Sequence, residues 1–264
     1  AEPTLGDELK HELDQRGFRT RVVGSINALE EWLSLQPCDV LLLDLRMNGL
    51  DPIQLSAQAW VHNPLMAIAF ITPEAQVPEL WDARLFGIEV FHGANYLKDF
   101  VRLVQSLPTP VAIAQNEPFA VLIVEDLDAP RSIIASYVES LGYKHVDTAG
   151  SAQEALATLR KDPLRYFCVL TDIQMPHTSG VELAKAIRAD DLLAHLPVVA
   201  LTAYAEVENL LQCVKAGMTG FLVKPPQKRL LQQELQKCRR IAVLHLSPIL
   251  CSSEDAEELE AALQ

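Results

Sequence analysis

The sequence lacks the features that would assign it to a membrane, a nucleic acid or an oxidising compartment. No apolar run is longer than a strand, so no segment is predicted to cross a bilayer. The first residues do not have the pattern of a secretory signal peptide. With 35 acidic and 22 basic residues the formal net charge is −13, which argues against a nucleic-acid-binding surface. We therefore expect a cytoplasmic location, as a free protein or as the cytoplasmic part of a membrane-anchored one.

Cysteine is scarce, and its spacing shows no pairing. The five cysteines are scattered, and no Cys-x-x-Cys pair occurs. Cys38, Cys168 and Cys213 lie in or beside apolar patterns, which is typical of small core residues in a reducing compartment.

The sequence does contain a strict alternation of strand-sized apolar runs and helical patterns, which predicts a parallel sheet. The most informative run, Phe-Cys-Val-Leu-Thr-Asp at 167–172, has no polar alternation and ends on Asp172. Such a run is typical of a parallel strand covered on both faces. A lone Asp at a strand end more often caps the next loop or helix. In open parallel sheets, however, the working groups lie just beyond the carboxyl ends of the strands.

The alternation occurs twice, which indicates an internal repeat. Gly17, Asp44 and Thr72 match Gly142, Asp172 and Thr202 at offsets that drift slowly, as loop insertions would make them drift. We predict two tandem doubly wound α/β domains with strand order 2-1-3-4-5. The predicted segments are a degenerate or truncated domain at 1–107, a Pro-rich linker at 108–118, a complete domain at 119–240, and a tail at 241–264 made of a strand (241–246) and an acidic helix (254–263).

The first domain is predicted to lack its own first strand. When the two halves are aligned at Gly17, Asp126 falls on Ala1 and Glu125 falls before it. A short second strand is still expected over 18–23. Two sources of the missing strand stay open. One is a longer parent chain, since Glu2-Pro3 resembles the residues that come after an acidic pair, and the other is the predicted strand at 241–246.

Strand ends of the second half carry side chains suited to phosphoryl chemistry. The first strand ends at Glu125 and Asp126, the third at Asp172, the fourth at Thr202 and the fifth at Lys224. In the order 2-1-3-4-5 these strands are neighbours, so the side chains should converge. Three clustered carboxylates repel one another and need a cation, and oxygen ligands beside a Lys suit Mg²⁺. A cation, a Lys and a hydroxyl around one Asp form a site in which that Asp can become an aspartyl phosphate.

Each of these residues alone has an ordinary structural explanation. Glu125 and Asp126 could be helix N-terminal charges, Thr202 a strand residue, and Lys224 a side chain that reaches solvent. Their joint occurrence at neighbouring strand ends favours a site.

Five blocks of the second half occur in order along the chain: Val-Leu-Ile-Val-Glu-Asp at 121–126, Leu-Thr-Asp-Ile-Gln-Met-Pro at 170–176 with Gly180, Ala-Leu-Thr-Ala at 200–203, Ala-Gly at 216–217 and Phe-Leu-Val-Lys-Pro at 221–225. Through these blocks, residues 119–237 resemble a response-regulator receiver domain. The resemblance implies the five-stranded (βα)5 flavodoxin-like fold and a partner that is a histidine kinase or a histidine phosphotransfer domain.

Carried over position by position, the resemblance implies a role for each site residue. Asp172 would accept a phosphoryl group from a phosphohistidine. The Mg²⁺ ligands would be Glu125, Asp126, Asp172 and the backbone carbonyl of Gln174. Lys224 would contact the phosphoryl oxygens, and Thr202 would move to bond the new phosphate. Phe221 would hold the aromatic switch position.

The first domain resembles a degraded receiver. It has no acidic pair, so Mg²⁺ would have too few ligands, and His92 could replace a Lys only when protonated. We expect a pseudo-receiver that serves in packing or regulation. It retains an Asp, a Met and a Thr of the second domain, as Asp44, Met47 and Thr72. It has Asn48 in place of Pro176, and His92-Gly93 where the Lys should be.

These residues leave three functions to consider. The favoured one is a phosphoacceptor in two-component signalling, resembling the receiver region of a hybrid histidine kinase or of a tandem-receiver regulator, with at most slow autodephosphorylation. The alternative is a binding or homodimerisation scaffold that works without phosphorylation. A metal-dependent phosphatase is disfavoured because Gln174, two residues after Asp172, leaves it without a general acid.

Overall fold

The computed structural model describes residues 5–46, 51–72, 83–92, 95–108, 118–203 and 207–250. The chain divides into two compact units, Ala1–Leu107 and Pro108–Gln264. Among the described residues, no helix is both long and apolar enough to cross a membrane. Several predictions lie outside the described residues: most of the linker (109–117), the acidic helix at 254–263, and the comparisons at Met47, Asn48 and Gly93.

The first unit contains a small parallel sheet with helices on both faces. Its strands pair in the order β1-β2-β3. One face packs against α2 and α3 through a cluster that includes Leu29 and Leu55, and the other packs against α1 and α4 through Leu9 and Phe100. The elements are α1 (Leu5–Gln15), α2 (Ile26–Leu35), β1 (Val40–Asp44), α3 (Pro52–His62), β2 (Ala67–Ile71), β3 (Glu89–Phe91) and α4 (Tyr96–Ser106).

The strand predicted over 18–23 is wrong. These residues form no strand, and within the described residues the first sheet has three strands rather than the expected four. In the predicted order, the second strand has a single neighbour, which is the first strand. Since the described part of this unit contains no first strand, residues 18–23 have no ladder to join.

The second unit is a five-stranded parallel sheet, and here the predicted order is confirmed. Its strands run β5-β4-β6-β7-β8, which is 2-1-3-4-5 in chain order. The elements are β4 (Ala120–Val124), α5 (Asp128–Ser140), β5 (Val146–Ala149), α6 (Ala152–Lys161), β6 (Tyr166–Asp172), α7 (Gly180–Arg188), β7 (Val198–Thr202), α8 (Val207–Lys215), β8 (Gly220–Val223) and α9 (Lys228–Leu244).

The central strands of this sheet are buried along their whole length. Every residue of β4, β6 and β7 is buried, as the unbroken apolar runs predict. Alternate side chains enter two clusters, so that Leu122 packs toward α6 and α7 while Ile123 packs toward α5 and α9. Cys168 and Cys213 are buried free thiols in these clusters, and Cys38 of the first unit is half-buried.

The strand predicted over 241–246 is also wrong. Helix α9 continues to Leu244 and ends at His245, which takes the left-handed conformation with φ 54°. Leu235, Cys238 and Ala242 recur at helical spacing and face the core. The apolar run is therefore the buried end of a helix, the predicted boundary at residue 240 falls inside α9, and this segment cannot replace the missing first strand.

Candidate functional site

The carboxyl ends of β4, β6, β7 and β8 bring the predicted side chains to one edge of the second sheet. Glu125 and Asp126 follow β4 directly, and Asp172 is the last residue of β6. The ligand oxygens of Glu125, Asp126 and Asp172 all lie within 4.8 Å of one another. In the part of the chain that the structure describes, no other group of three His, Cys, Asp or Glu side chains is close enough to hold a metal ion.

This carboxylate cluster is largely withdrawn from solvent. Glu125 is fully buried, Asp172 is 4% exposed and Asp126 is half-buried. Burial raises the pKa of Glu125, as does the neighbouring charge of Asp172, while a hydrogen bond from Lys224 acts in the opposite direction. The donor set of carboxylate oxygens, with no nitrogen or sulfur ligand among them, fits a hard cation such as Mg²⁺.

Lys224 connects two of the three acids. Its ammonium nitrogen lies 2.8 Å from Oδ2 of Asp172 and 3.1 Å from Oε2 of Glu125. Burial alone would lower the pKa of Lys224, but the hydrogen bonds to Asp172 and Glu125 outweigh it and the pKa is raised. The backbone amide of Lys224 also donates to the carbonyl of Thr202 at 2.7 Å, which fixes the lysine at the end of the sheet.

The loop after Asp172 is folded back tightly on the strand end. The backbone amide of Gln174 donates to Oδ1 of Asp172 at 3.1 Å, and that of Gly180 donates to the carbonyl of Ile173 at 3.0 Å. A Cβ atom on Gly180 would lie 2.1 Å from the carbonyl oxygen of Asp172, so only glycine fits there. Ser179 then caps α7 in a capping box with Glu182. The Gln174 amide therefore orients the side chain of Asp172, and Gly180 packs against its backbone carbonyl.

Thr202 and Phe221 lie on the neighbouring strands. Thr202 ends β7, is 4% exposed and pairs in register with Val223 of β8. Phe221 is half-buried and packs against the core cluster on the side of α6 and α7.

Arg131, on α5, was not predicted from the sequence. Its guanidinium donates to the carbonyl oxygens of Glu125 and Asp126 and pairs with the carboxylate of Asp128. The signal that could have found it is the one Arg in the helix that begins at the end of the acid-rich stretch 125–128.

The corresponding place in the first unit is built differently. Asp44 is bound by Arg46, whose Nε lies 2.9 Å from Oδ1 and whose backbone amide lies 3.0 Å from the same oxygen. The side-chain hydrogen bond from Arg46 is the main reason that the pKa of Asp44 is lowered. Thr72 is buried, whereas His92 is exposed.

The strand register corrects the match of His92 with Lys224. Ile71 and Leu201 are equivalent, because they pair with Asp44 and Asp172, respectively. Ile71 pairs with Phe91, and Leu201 pairs with Leu222. His92 therefore corresponds to Val223, and the position of the lysine falls on Gly93.

Comparison with known proteins places the second unit in a family. The family model of the response regulator receiver domain matches residues 121–236. The chemotaxis protein CheY-3 of Vibrio cholerae is 36% identical over 122 residues, which are 46% of this chain and 92% of that protein. The chemotaxis protein CheY of Pseudomonas aeruginosa is 33% identical over 117 residues, which are 44% of this chain and 93% of that protein.

Solved structures that are similar to the chain match less than half of it. Chemotaxis protein CheY4 of Vibrio cholerae is 32% identical with a TM-score of 0.42, over 45% of this chain and 97% of that one. The receiver domain of a sensor histidine kinase from Pseudomonas aeruginosa, solved with a magnesium ion coordinated in its active-site cleft, is 30% identical with a TM-score of 0.43, over 46% of this chain and 98% of that one.

Proposed function

The chain belongs to the response regulator receiver family of two-component signalling through residues 121–236, and from this premise we propose that Asp172 accepts a phosphoryl group from a phosphohistidine. The donor would be a histidine kinase or a histidine phosphotransfer domain. The observation that carries the proposal is the contact of Lys224 with both Asp172 and Glu125. It places one fixed cation beside the acceptor carboxylate and the carboxylate cluster.

The proposed transfer requires an ionised Asp172. One of its carboxylate oxygens attacks phosphorus, the bond between phosphorus and the imidazole nitrogen breaks, and the imidazole leaves with the electron pair. Lys224 holds the oxygens of the transferred group. Glu125, Asp126, Asp172 and the backbone carbonyl of Gln174 would hold Mg²⁺, which when bound neutralises charge on the carboxylates and on the phosphoryl group.

The phosphorylated state would then be recognised through a shift between two conformations. The Thr202 hydroxyl moves to bond the new phosphate, and the half-buried ring of Phe221 moves with it. These changes alter the face formed by α8, β8 and α9 and so change which partner binds. Autodephosphorylation is slow because Gln174 offers no acid or base to the attacking water.

The first unit serves as a pseudo-receiver in packing or regulation. The guanidinium of Arg46 occupies the carboxylate of Asp44. The described residues of this unit place no acidic pair beside Asp44.

The test is direct phosphorylation by a small-molecule donor such as phosphoramidate in the presence of Mg²⁺, followed by intact-mass measurement and peptide mapping. One phosphoryl group on Asp172 in the wild type and in Asp44→Asn, and none in Asp172→Asn, is the expected pattern. Modification that persists in Asp172→Asn, or that maps to Asp44, would overturn the assignment. A phosphorylation-independent scaffold would show no modification in any of the three proteins.

A further inference from the structure

Arg131 holds the backbone of the loop that carries the acidic pair. One of its terminal nitrogens, Nη1, donates to the carbonyl oxygen of Glu125 and reaches the carbonyl of Asp126 at 3.4 Å. The other, Nη2, pairs with the carboxylate of Asp128 at the start of α5. A single guanidinium thus binds three parts of the turn between β4 and α5.

The guanidinium is itself confined on its other side. A Cβ atom on Gly150 would lie 3.4 Å from Nη1 of Arg131, so the arginine lies against the turn between β5 and α6. The backbone amide of Gly150 donates to the carboxylate of Glu154 at 2.8 Å, which holds that turn in place. The side chain of Arg131 is only 20% exposed, whereas that of Asp128 is 91% exposed. The arginine is therefore held mainly by packing and by the two carbonyls.

We propose that Arg131 is a positioning residue for the cation site, one that holds Glu125 and Asp126 in the geometry that binds Mg²⁺. This inference rests on the proposed function, because it concerns the same carboxylate cluster. Groups that orient the ligands of a metal typically change metal affinity by about 10-fold to 100-fold when they are removed. Arg131 does this through the backbone, since it contacts the carbonyls of the ligand residues and not their carboxylates.

For the removal of Arg131, the proposal and a simple charge effect predict changes of opposite sign in Mg²⁺ affinity. Arg131 is a positive charge beside a cation site, so by Coulomb's law its removal should tighten Mg²⁺ binding. If Arg131 positions the acidic loop, its removal should weaken Mg²⁺ binding even though a repelling positive charge is lost. The sign of the change in affinity therefore separates the two roles.

The experiment is Mg²⁺ titration of the full chain by isothermal calorimetry and by backbone NMR of residues 124–128, with the wild type, Arg131→Gln and Arg131→Lys. We expect Arg131→Gln to weaken Mg²⁺ binding by about tenfold or more. Arg131→Lys keeps the charge but loses the planar guanidinium, so its Mg²⁺ affinity should lie between those of the wild type and Arg131→Gln. Arg160→Gln is the matched control, because Arg160 pairs with Asp190 on the surface, and it should bind Mg²⁺ as the wild type does.

Two different failures are distinguishable. Unchanged or tighter Mg²⁺ binding by Arg131→Gln, with normal binding by the wild type, would overturn the positioning role and leave the proposed cation site intact. Absence of Mg²⁺ binding in the wild type would overturn the cation site itself and the role of Arg131 with it. Thermal unfolding in the presence of a chelator shows that each variant is folded before its affinity is compared.

Discussion

Gly180 lies against the carbonyl oxygen of Asp172 so closely that a Cβ atom would come within 2.1 Å of it. The contact joins the start of α7 to the end of β6, and with the hydrogen bond from the Gly180 amide to Ile173 it fixes the path of the chain after the acceptor residue. The geometry of Asp172 therefore depends on a residue eight positions later that has no chemistry of its own.

Gly180→Ala should destabilise the second unit and displace Asp172. Because the atom that the new methyl group would meet belongs to the backbone and cannot rotate away, the cost should be at the upper end of overpacking, about 3 kcal/mol in the free energy of unfolding. Chemical denaturation followed by NMR of the second unit measures it. Gly24→Ala, in the first unit at a place where nothing lies within 4 Å, is the control and should leave the stability of the second unit unchanged. A second unit that is as stable in Gly180→Ala as in the wild type would contradict the contact.

Lys224→Gln should separate binding of the cation from binding of the phosphoryl group. Loss of the ammonium that neutralises Glu125 and Asp172 removes a competitor of Mg²⁺, so Mg²⁺ affinity should be maintained or increased. Binding of the phosphoryl mimic beryllofluoride should weaken by about tenfold or more, since a charge-assisted hydrogen bond contributes roughly 1.5–3 kcal/mol.

Titrations of Lys224→Gln with Mg²⁺ alone and with beryllofluoride plus Mg²⁺ provide the two affinities. The control is Lys144→Gln, an exposed lysine, which should leave both unchanged. Weaker Mg²⁺ binding together with unaltered beryllofluoride binding in Lys224→Gln would be the reverse of the expected result.

The stability of the second unit should depend on pH through Asp147. This carboxylate accepts hydrogen bonds from Nε of Arg165 at 2.9 Å and from the hydroxyl of Tyr166 at 2.7 Å. The bond from Arg165 is the main reason that the pKa of Asp147 is lowered in the folded protein. Stability from this group is thus present above the unfolded-state pKa and is lost as the pH falls through the lowered folded-state value.

Asp147→Asn removes that contribution. Its melting temperature should lie below that of the wild type at neutral pH, and the two should converge as the pH falls below 3.8, the ordinary pKa of an Asp. Thermal unfolding from neutral to acidic pH measures the difference. A constant difference at every pH would show that the effect is steric and does not come from ionisation.

Arg46→Gln should have little effect on stability and should not create a working site in the first unit. The Arg46 and Asp44 side chains are 53% and 27% exposed, and ion pairs as exposed as this contribute about 0–1 kcal/mol. The variant lacks a lysine at the position of Gly93, so no beryllofluoride response is expected at Asp44. A saturable response at Asp44 in Arg46→Gln would show that the arginine alone blocks a competent acceptor.

The second unit was predictable because each of its strands has a local signature. The apolar runs that end at Glu125 and Asp172 fill both faces of the sheet, and parallel order then brings their ends together. The residues at 18–23 have a strand-like sequence too, but a strand needs a neighbour, and that requirement is not local. An apolar run such as 241–246 is equally compatible with a buried helix end.

The contacts of the two arginines were not predictable from periodicity. Arg46 and Arg131 act by reaching back across a turn, to Asp44 and to the carbonyls of the acidic pair. Their partners are set by the path of the loop, which hydrophobic patterns do not encode. Hydrophobic patterns also did not predict the strand register, in which His92 corresponds to Val223 and not to Lys224.

The central claim is that Asp172 is the working acceptor and that Asp44 is not. Beryllofluoride with Mg²⁺, titrated into the wild type, Asp172→Ala and Asp44→Ala and followed by backbone NMR, tests it most directly. Saturable shifts near Thr202 and Lys224 in the wild type and in Asp44→Ala, with none in Asp172→Ala, are the predicted result. An unchanged response in Asp172→Ala, or no response in the wild type, would contradict it.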